Sequence, residues 1–231
     1  MSRALRAVLF DVDFTLVRPG PDLGPEGYRR LGERHGLTLD PARYDGARAA
    51  AIDSLERHPE LLHDDELWVA FTERIVRGMG GDADGARECA VEMTGAWLRH
   101  ENFDLYEDTL PVLEELRRLG LKLGLVSNTG RDLDEFVRHH RLDVDAVLGS
   151  RAHGRTKPHE TIFRALLDTI EVAPADAAMV GDSLEDDVEG AEALGMRAIL
   201  LDRERRHPGY EGIRLEDLYG LPAALGLPRP G

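Results

Sequence analysis

The chain alternates between short, largely apolar runs and longer stretches in which apolar residues recur with helical spacing. A short apolar run is typical of a strand that is buried on both faces of a parallel sheet. Such runs predict strands at 7–10, 121–126, 144–148, 177–180 and 197–201, and a short edge element within 213–218. Helical spacing predicts helices at 109–120, 133–141, 160–170 and 184–194. We therefore predict an α/β fold, with a Rossmann-like parallel sheet core and helices on both faces.

A second kind of pattern fills the stretch between the first two strands. From Gly27 to about Glu101, apolar positions are three and four residues apart, and proline and glycine breakers divide the stretch into about four helices. A Pro/Gly-rich link at 18–25 comes before it. We predict an all-helical cap domain at 17–101, inserted into a catalytic core made of 1–16 and 102–231. We expect this cap to move relative to the core.

Composition and charge narrow the range of partners. The 231 residues are 42% hydrophobic and 32% charged, which is ordinary for a soluble globular protein. The formal net charge of -15 argues against nucleic acid or an anionic membrane as a partner. The one cysteine, Cys89, excludes an internal disulfide and a multi-cysteine zinc site. A single cysteine fits a reducing, cytoplasmic setting, and we expect a monomer or a homodimer.

Candidate chemistry begins where the first strand ends. Asp11 follows that strand directly, Asp13 comes two positions later, and reactive groups of open α/β sheets collect at the carboxyl ends of strands. Two carboxylates this close repel each other unless a cation lies between them or one of them takes a proton. Mg²⁺ suits such a site because it prefers carboxylate and phosphate oxygens. Asp11 could then attack phosphorus and Asp13 could move protons, unless the two acids only cap the next turn.

Polar residues also follow two later strands and occupy one loop between them. They are Ser127 and Asn128 after the second strand, Lys157 in the loop, and Asp182 with Asp186 and Asp187 after the fourth strand. Taken singly, each has an ordinary explanation. A serine here can cap a helix, a lysine can be solvated, and acids in a first turn favour the helix dipole.

The order of these motifs is more specific than any one of them. Asp-x-Asp-x-Thr-Leu at 11–16 is followed by Ser127-Asn128, then Lys157-Pro158, then Gly-Asp-Ser at 181–183. In this order the chain resembles the haloacid dehalogenase superfamily, and in particular its phosphatases with a helical (C1) cap inserted after the first strand. The resemblance spans nearly the whole chain.

The resemblance implies a catalytic role for four of these residues. Asp11 would be the nucleophile, and Asp13 would protonate the leaving oxygen and then activate water. Ser127 would bind a phosphoryl oxygen, with help from the backbone near Asn128. Lys157 would steady both the Asp11 carboxylate and the phosphoryl group.

The resemblance also implies Mg²⁺ as the cofactor. Its ligands would be Asp11, Asp182 and the backbone carbonyl of Asp13, and Asp186 or Asp187 would support the metal from behind or through water. Many relatives have glycine where this chain has Phe14. Glycine tolerates backbone angles that phenylalanine does not, but both carboxylates remain in place, so we expect catalysis to survive.

The function implied is hydrolysis of a small phosphorylated metabolite through an aspartyl-phosphate, with the substrate chosen by the cap. Two alternatives from the same superfamily remain, a 2-haloacid dehalogenase and a phosphosugar mutase. Asp13 argues against the dehalogenase, because that chemistry needs neither an acid for an alkoxide leaving group nor Mg²⁺. A non-catalytic, receiver-like regulatory domain also uses clustered acids with a lysine, but it lacks a helical insert after the first strand.

Overall fold

Six parallel strands form the main sheet. The computed structural model describes residues 4–55, 57–82 and 84–228. The strands of the main sheet are β1 Ala7–Phe10, β4 Lys122–Ser127, β5 Ala146–Gly149, β6 Ala177–Gly181, β7 Arg197–Leu201 and β8 Arg214–Leu215. They lie in the order β5–β4–β1–β6–β7–β8. A separate two-stranded sheet pairs β2, Val17–Pro19, with β3, Phe103–Leu105.

Strand β1 lies at the point where the strand order reverses. The chain leaves β1, builds β4 and β5 on one side, and then returns to build β6, β7 and β8 on the other side. Phe10 pairs with Leu125 of β4 and with Val180 of β6, so the three strands end at the same edge. In open α/β sheets such a reversal opens a crevice beyond the carboxyl ends of the strands. The topology therefore brings the residues that follow β1, β4 and β6 to one rim.

Both faces of the sheet are covered, and this confirms the predicted fold class. All four residues of β1 have no solvent exposure, as expected for a strand with helices on either side. The α-helices in this part of the chain are α5 Thr109–Arg118, α6 Leu133–His140, α7 Ser150–His153, α8 Glu160–Thr169, α9 Gly190–Glu192 and α10 Leu221–Ala224.

One predicted helix, at 184–194, has a different local geometry. Its first part, Leu184–Glu189, is a π-helix, and the α-helix α9 follows it. The amides of Asp187 and Val188 both donate to the carbonyl of Ser183, at 3.1 and 3.2 Å, which widens the turn. Wide turns of this kind are frequent at functional sites, and this one carries Asp187.

The chain divides into two compact units, one made of the residues up to Arg18 and from Leu105 onward, the other Pro19–Asp104. The second unit is helical, and its α-helices are α1 Pro25–Arg34, α2 Tyr44–Asp53, α3 Asp65–Gly78 and α4 Ala86–Trp97. It is held by apolar contacts, with Tyr28, Cys89 and Met93 all buried. Within the ranges that the structure describes, no helix combines the length and apolar character needed to cross a bilayer.

Candidate active site

The loop after β1 presents its two aspartates in different surroundings. Asp11 is 7% exposed, and its amide donates to the carbonyl of Val180 on the neighbouring strand at 2.9 Å. The chain then turns sharply at Phe14, whose φ of 63° lies in the left-handed region. Phenylalanine pays about 1 kcal/mol for this conformation, which glycine adopts freely. The turn is closed by Phe14 N–H donating to the carbonyl of Val17 at 2.7 Å.

Lys157 links the two most buried acids of the site. Its Nζ lies 2.6 Å from Oδ1 of Asp11 and 2.6 Å from Oδ1 of Asp187. The lysine side chain is only 2% exposed. Asn128 fixes the lysine backbone, because its Oδ1 accepts from Lys157 N–H at 2.7 Å and its Nδ2 donates to the Lys157 carbonyl at 3.0 Å. Charge-assisted bonds in such a dry position are strong and well directed.

A cluster of three carboxylates surrounds this lysine. Oxygen atoms of Asp11, Asp182 and Asp187 all lie within 4.8 Å of one another. Asp187 reaches the cluster because residue 181 is glycine: a Cβ at that position would lie 2.1 Å from Asp187 Oδ2. The backbone N–H of Ser183 donates to the same oxygen at 3.1 Å. The neighbouring Asp186 points elsewhere, with Oδ2 3.3 Å from Nδ2 of Asn128.

The cluster carries more negative than positive charge, and the pKa values reflect this excess. Burial raises the pKa of Asp11 well above its ordinary value, although the charge of Lys157 opposes the shift. Burial also raises the pKa of Asp187, and burial together with the charge of Asp187 raises the pKa of Asp182 to about 7. Burial alone would lower the pKa of Lys157, but the two carboxylates it contacts raise it, so the ammonium stays protonated.

The donor set fits a divalent cation that prefers oxygen. The three carboxylates converge on one small volume, and Lys157 balances only part of their charge. Asp11, Asp182 and Asp187 are therefore the side chains that could hold such an ion. Binding it would supply the missing positive charge and polarise a phosphoryl oxygen.

Two arginines at this site were not anticipated from the sequence. Arg131 pairs with Asp13, with Nη1 3.0 Å from Oδ1. Arg206 pairs with Asp182, with Nη2 3.0 Å from Oδ2. Arg131 is four residues beyond the end of β4, and a basic residue in a loop after a strand is usually solvated. No feature of the local sequence around Arg131 marks it as a site residue.

A third arginine, Arg203, contacts the loop after β1. Arg203 Nη2 donates to the carbonyl of Thr15 at 2.9 Å and to Asp108 Oδ1 at 2.8 Å. Its guanidinium lies 3.8 Å from the centroid of the Tyr106 ring. The buried carboxylate of Asp108 and the aromatic face together fix the guanidinium, and the guanidinium in turn fixes the loop.

The structure brings some of the predicted residues into direct contact and leaves others near the rim. Asp11 and Lys157 touch, and Asp182 joins them through the carboxylate cluster. Ser127 is buried at the end of β4, beside β1. The remaining members contact neighbours on the rim, Asn128 with the Lys157 backbone and Asp186, and Asp13 with Arg131. Of the two acids left open at 186 and 187, Asp187 is the one in the cluster.

Several known proteins resemble this chain over most of its length. A family model for haloacid dehalogenase-like hydrolases matches residues 5–195. The phosphoserine phosphatase of Thermus thermophilus is 38% identical over a 239-residue alignment that covers 92% of each chain. The crystal structure of a HAD phosphatase from Thermococcus onnurineus matches with a TM-score of 0.67 and 29% identity, over 98% of this chain and 100% of that chain.

The structure of a protein named for a different activity matches almost as well. A 2-haloacid dehalogenase from Pseudomonas syringae pv. tomato has a TM-score of 0.63 and 26% identity, over 96% of this chain and 98% of that chain. Relatives of both kinds are hydrolases, so the non-catalytic, receiver-like alternative no longer applies. The reversal of strand order at β1, the lysine beside a buried aspartate and the match over 5–195 lead to one conclusion: this chain belongs to the haloacid dehalogenase-like hydrolase family.

Proposed function

We propose that this protein is a Mg²⁺-dependent phosphatase that hydrolyses a small phosphomonoester through an aspartyl-phosphate on Asp11. The observation that carries the proposal is the contact of Lys157 Nζ with both Asp11 and Asp187, at 2.6 Å each, inside a cluster of three carboxylates. Phosphoryl transfer depends mainly on positioning and on stabilising charge at the phosphoryl oxygens. A buried lysine beside the nucleophile and a cation-binding acid cluster provide both.

The first half-reaction forms the phosphoenzyme. A carboxylate oxygen of Asp11 attacks phosphorus as the bond from phosphorus to the leaving oxygen breaks. Asp13 gives its proton to that oxygen, so the product leaves as an alcohol rather than an alkoxide. Lys157 stabilises the charge on the phosphoryl oxygens, with Ser127 as a hydrogen-bond donor.

The second half-reaction restores the enzyme. Asp13, now ionised, takes a proton from water, and the water oxygen attacks phosphorus. The bond between phosphorus and Asp11 breaks, which releases inorganic phosphate and returns the Asp11 carboxylate. Lys157 stabilises that carboxylate as it leaves.

For the substrate, we propose a phosphorylated small metabolite and take phosphoserine as the first candidate. A relative named phosphoserine phosphatase is 38% identical over 92% of this chain. We propose that the helical unit acts as the cap that selects the substrate. A cytoplasmic location and a monomeric or homodimeric state stay predictions.

The test is hydrolysis of p-nitrophenyl phosphate and phosphoserine by the purified full chain. We expect release of inorganic phosphate that requires Mg²⁺, stops with EDTA and returns with excess Mg²⁺. Asp13→Asn slows the second half-reaction, so with p-nitrophenyl phosphate it should accumulate the acyl phosphate. Borohydride reduction would then convert Asp11 to homoserine, which mass spectrometry detects.

The same experiment distinguishes the dehalogenase alternative, which the Pseudomonas syringae structure keeps relevant. Halide release from a 2-chloro acid in the presence of EDTA, without phosphate release from either ester, would overturn the proposal. A stable phosphoprotein that transfers its phosphoryl group to a phosphosugar, rather than to water, would favour the mutase.

A further inference from the structure

Arg131 is a buried arginine aimed at the proposed acid–base residue. Its side chain is 1% exposed. Nη1 and Nη2 each lie 3.0 Å from Oδ1 of Asp13, and Nη2 lies 3.3 Å from Oδ2. The carboxyl is therefore gripped mainly through one oxygen. Of the two oxygens, Oδ2 makes only the single, longer contact with the guanidinium.

The guanidinium itself is held from behind. Its Cζ lies 5.5 Å from the centroid of the Phe136 ring, and Phe136 has no solvent exposure. The Arg131 backbone N–H donates to Oγ1 of Thr129 at 3.1 Å. The next residue, Asp132, caps helix α6 by accepting from the N–H of Glu135 at 2.9 Å. A planar guanidinium fixed in this way imposes an orientation on its partner, which a flexible ammonium does not.

We propose that Arg131 is a positioning residue that aims the Asp13 carboxyl at the leaving-group oxygen. The inference rests on the proposed function, because it assigns Asp13 the proton transfer described there. In that step the proton on the Asp13 carboxyl passes to the leaving oxygen as the bond between that oxygen and phosphorus breaks. Arg131 acts through Asp13 and exchanges no proton itself.

A role for Arg131 in fold stability alone predicts a different result from a role in orienting Asp13. If Arg131 only stabilised the fold, its loss would slow every substrate by the same factor. If it orients a general acid, its loss should matter most where the leaving group needs a proton most. p-Nitrophenol leaves readily as an anion, whereas benzyl alcohol needs its proton, and the two phosphate esters carry uncharged rings of similar size.

The experiment measures kcat/KM for benzyl phosphate and p-nitrophenyl phosphate with Mg²⁺, because kcat/KM reports the steps up to leaving-group departure. Arg131→Met should lower the value about 10- to 100-fold for benzyl phosphate and less than about 3-fold for p-nitrophenyl phosphate. Arg131→Lys should restore part of the loss. Arg138→Met is the matched control, since Arg138 lies on helix α6, which begins two residues after Arg131, and its side chain is 71% exposed.

The ratio of the two kcat/KM values does not depend on how much of a variant is folded, because both esters are assayed on one preparation. An unchanged ratio in Arg131→Met would overturn the role of Arg131. If that variant yields no soluble protein, the ratio in Arg131→Lys decides instead. In an Asp13→Asn background, Arg131→Met should not change the ratio further, and a further change would also overturn the proposal.

The two proposals fail in distinguishable ways. A wild-type chain that hydrolyses neither ester would overturn the proposed function, and the inference about Arg131 with it. A wild-type chain that hydrolyses both esters, with a ratio that does not respond to position 131, would overturn the inference alone.

Discussion

The two units of the chain bury different kinds of side chain. In the α/β unit, charged residues lie in the interior, namely Asp11, Asp108, Arg131, Lys157, Asp187 and Asp202. Among the described residues of the helical unit, the buried polar residues include Thr72, and ion pairs such as Arg29–Glu26 and Arg87–Glu66 are partly or largely exposed.

The buried charges of the α/β unit are better explained by a chemical role than by a contribution to packing. Taking a charge out of water costs several kcal/mol, so an interior ion pair is weak support for a fold. The helical unit follows the simpler rule, with an apolar interior and charges at the surface. The α/β unit departs from that rule at one rim of its sheet, where three carboxylates meet one lysine. The same type of substitution should therefore change activity and stability more at this rim of the α/β unit than in the helical unit.

The largest expected effect is the loss of the nucleophile. Asp11→Asn keeps the shape of the side chain but removes the attacking oxygen anion, so phosphate release should fall about 10⁴-fold or more. Glu66→Gln makes the same type of change in the helical unit, at an exposed position, and should leave kcat within about 2-fold. Steady-state kinetics with circular dichroism as the fold check measures both. Near wild-type turnover by Asp11→Asn would show that another group attacks phosphorus.

The next effect concerns the two lysines of the chain, Lys122 and Lys157. Lys157→Met leaves buried carboxylates without their cation, which should cost about 3–5 kcal/mol of unfolding free energy and about 10²–10³-fold in kcat/KM. Lys122 is the first residue of β4, at the end of the strand away from Ser127, and its Nζ donates to the carbonyl of Ile170 at 2.6 Å. Lys122→Met should cost about 1 kcal/mol and leave kcat/KM nearly unchanged.

Urea denaturation and p-nitrophenyl phosphate kinetics compare these two variants. Equal destabilisation by both substitutions would show that Lys157 is not compensating a buried cluster. Added Mg²⁺ should stabilise Lys157→Met more than it stabilises the wild type, whereas Lys122→Met should gain only as much stability as the wild type does, because only the first substitution lies beside the acids.

The acid cluster should also make stability depend on pH and on metal together. The pKa of Asp182 is about 7 in the folded chain, against an ordinary value of 3.8. Between those values the folded state binds more protons than the unfolded state, so the free energy of unfolding falls as pH rises through this window. A bound cation offsets the charge that appears, and it competes with protons at low pH.

We expect Mg²⁺ to raise Tm by about 3 °C or more at about pH 8 and by about 1 °C or less at about pH 5. Thermal denaturation monitored by circular dichroism measures this difference. Asp182→Asn should lose most of the Mg²⁺ effect at the higher pH. A Mg²⁺ shift of the same size at both pH values would show that the ion binds away from the acids.

Sequence reasoning worked well where one physical cause dominates. The strands were predicted because an interior parallel strand needs a continuous apolar run, and β1, β6 and β7 have such runs. The acids could be located because parallel strands end at a common edge, which brings residues after β1 and β6 together. These inferences need only the periodicity of the chain and the geometry of a sheet.

Other features of the site depend on contacts and backbone geometry that the pattern of apolar residues does not encode. Arg131 is 118 positions from Asp13 in the chain, and nothing local distinguishes it from a solvated arginine. The π-helix at 184–189 has the same apolar spacing as an α-helix, and its wider turn comes from two amides sharing the carbonyl of Ser183. The positive φ of Phe14 likewise has no local signal, because phenylalanine rarely adopts it.

The smallest expected effect is the loss of a helix N-cap, and each unit has a helix that is capped by an aspartate. Asp64 caps α3 by accepting from Glu66 N–H at 2.9 Å, and Asp132 caps α6 by accepting from Glu135 N–H at the same distance. Replacing either with alanine should cost about 1 kcal/mol in urea denaturation, because each leaves one amide without its acceptor. Asp132→Ala also loosens the backbone next to Arg131, so it should shift the benzyl to p-nitrophenyl phosphate ratio about 3-fold. Asp64→Ala should leave that ratio unchanged. If both substitutions leave the ratio unchanged, the N-terminus of α6 supports the fold without orienting Asp13. Only an orienting role through Arg131 should make the ratio respond to Asp132→Ala and not to Asp64→Ala.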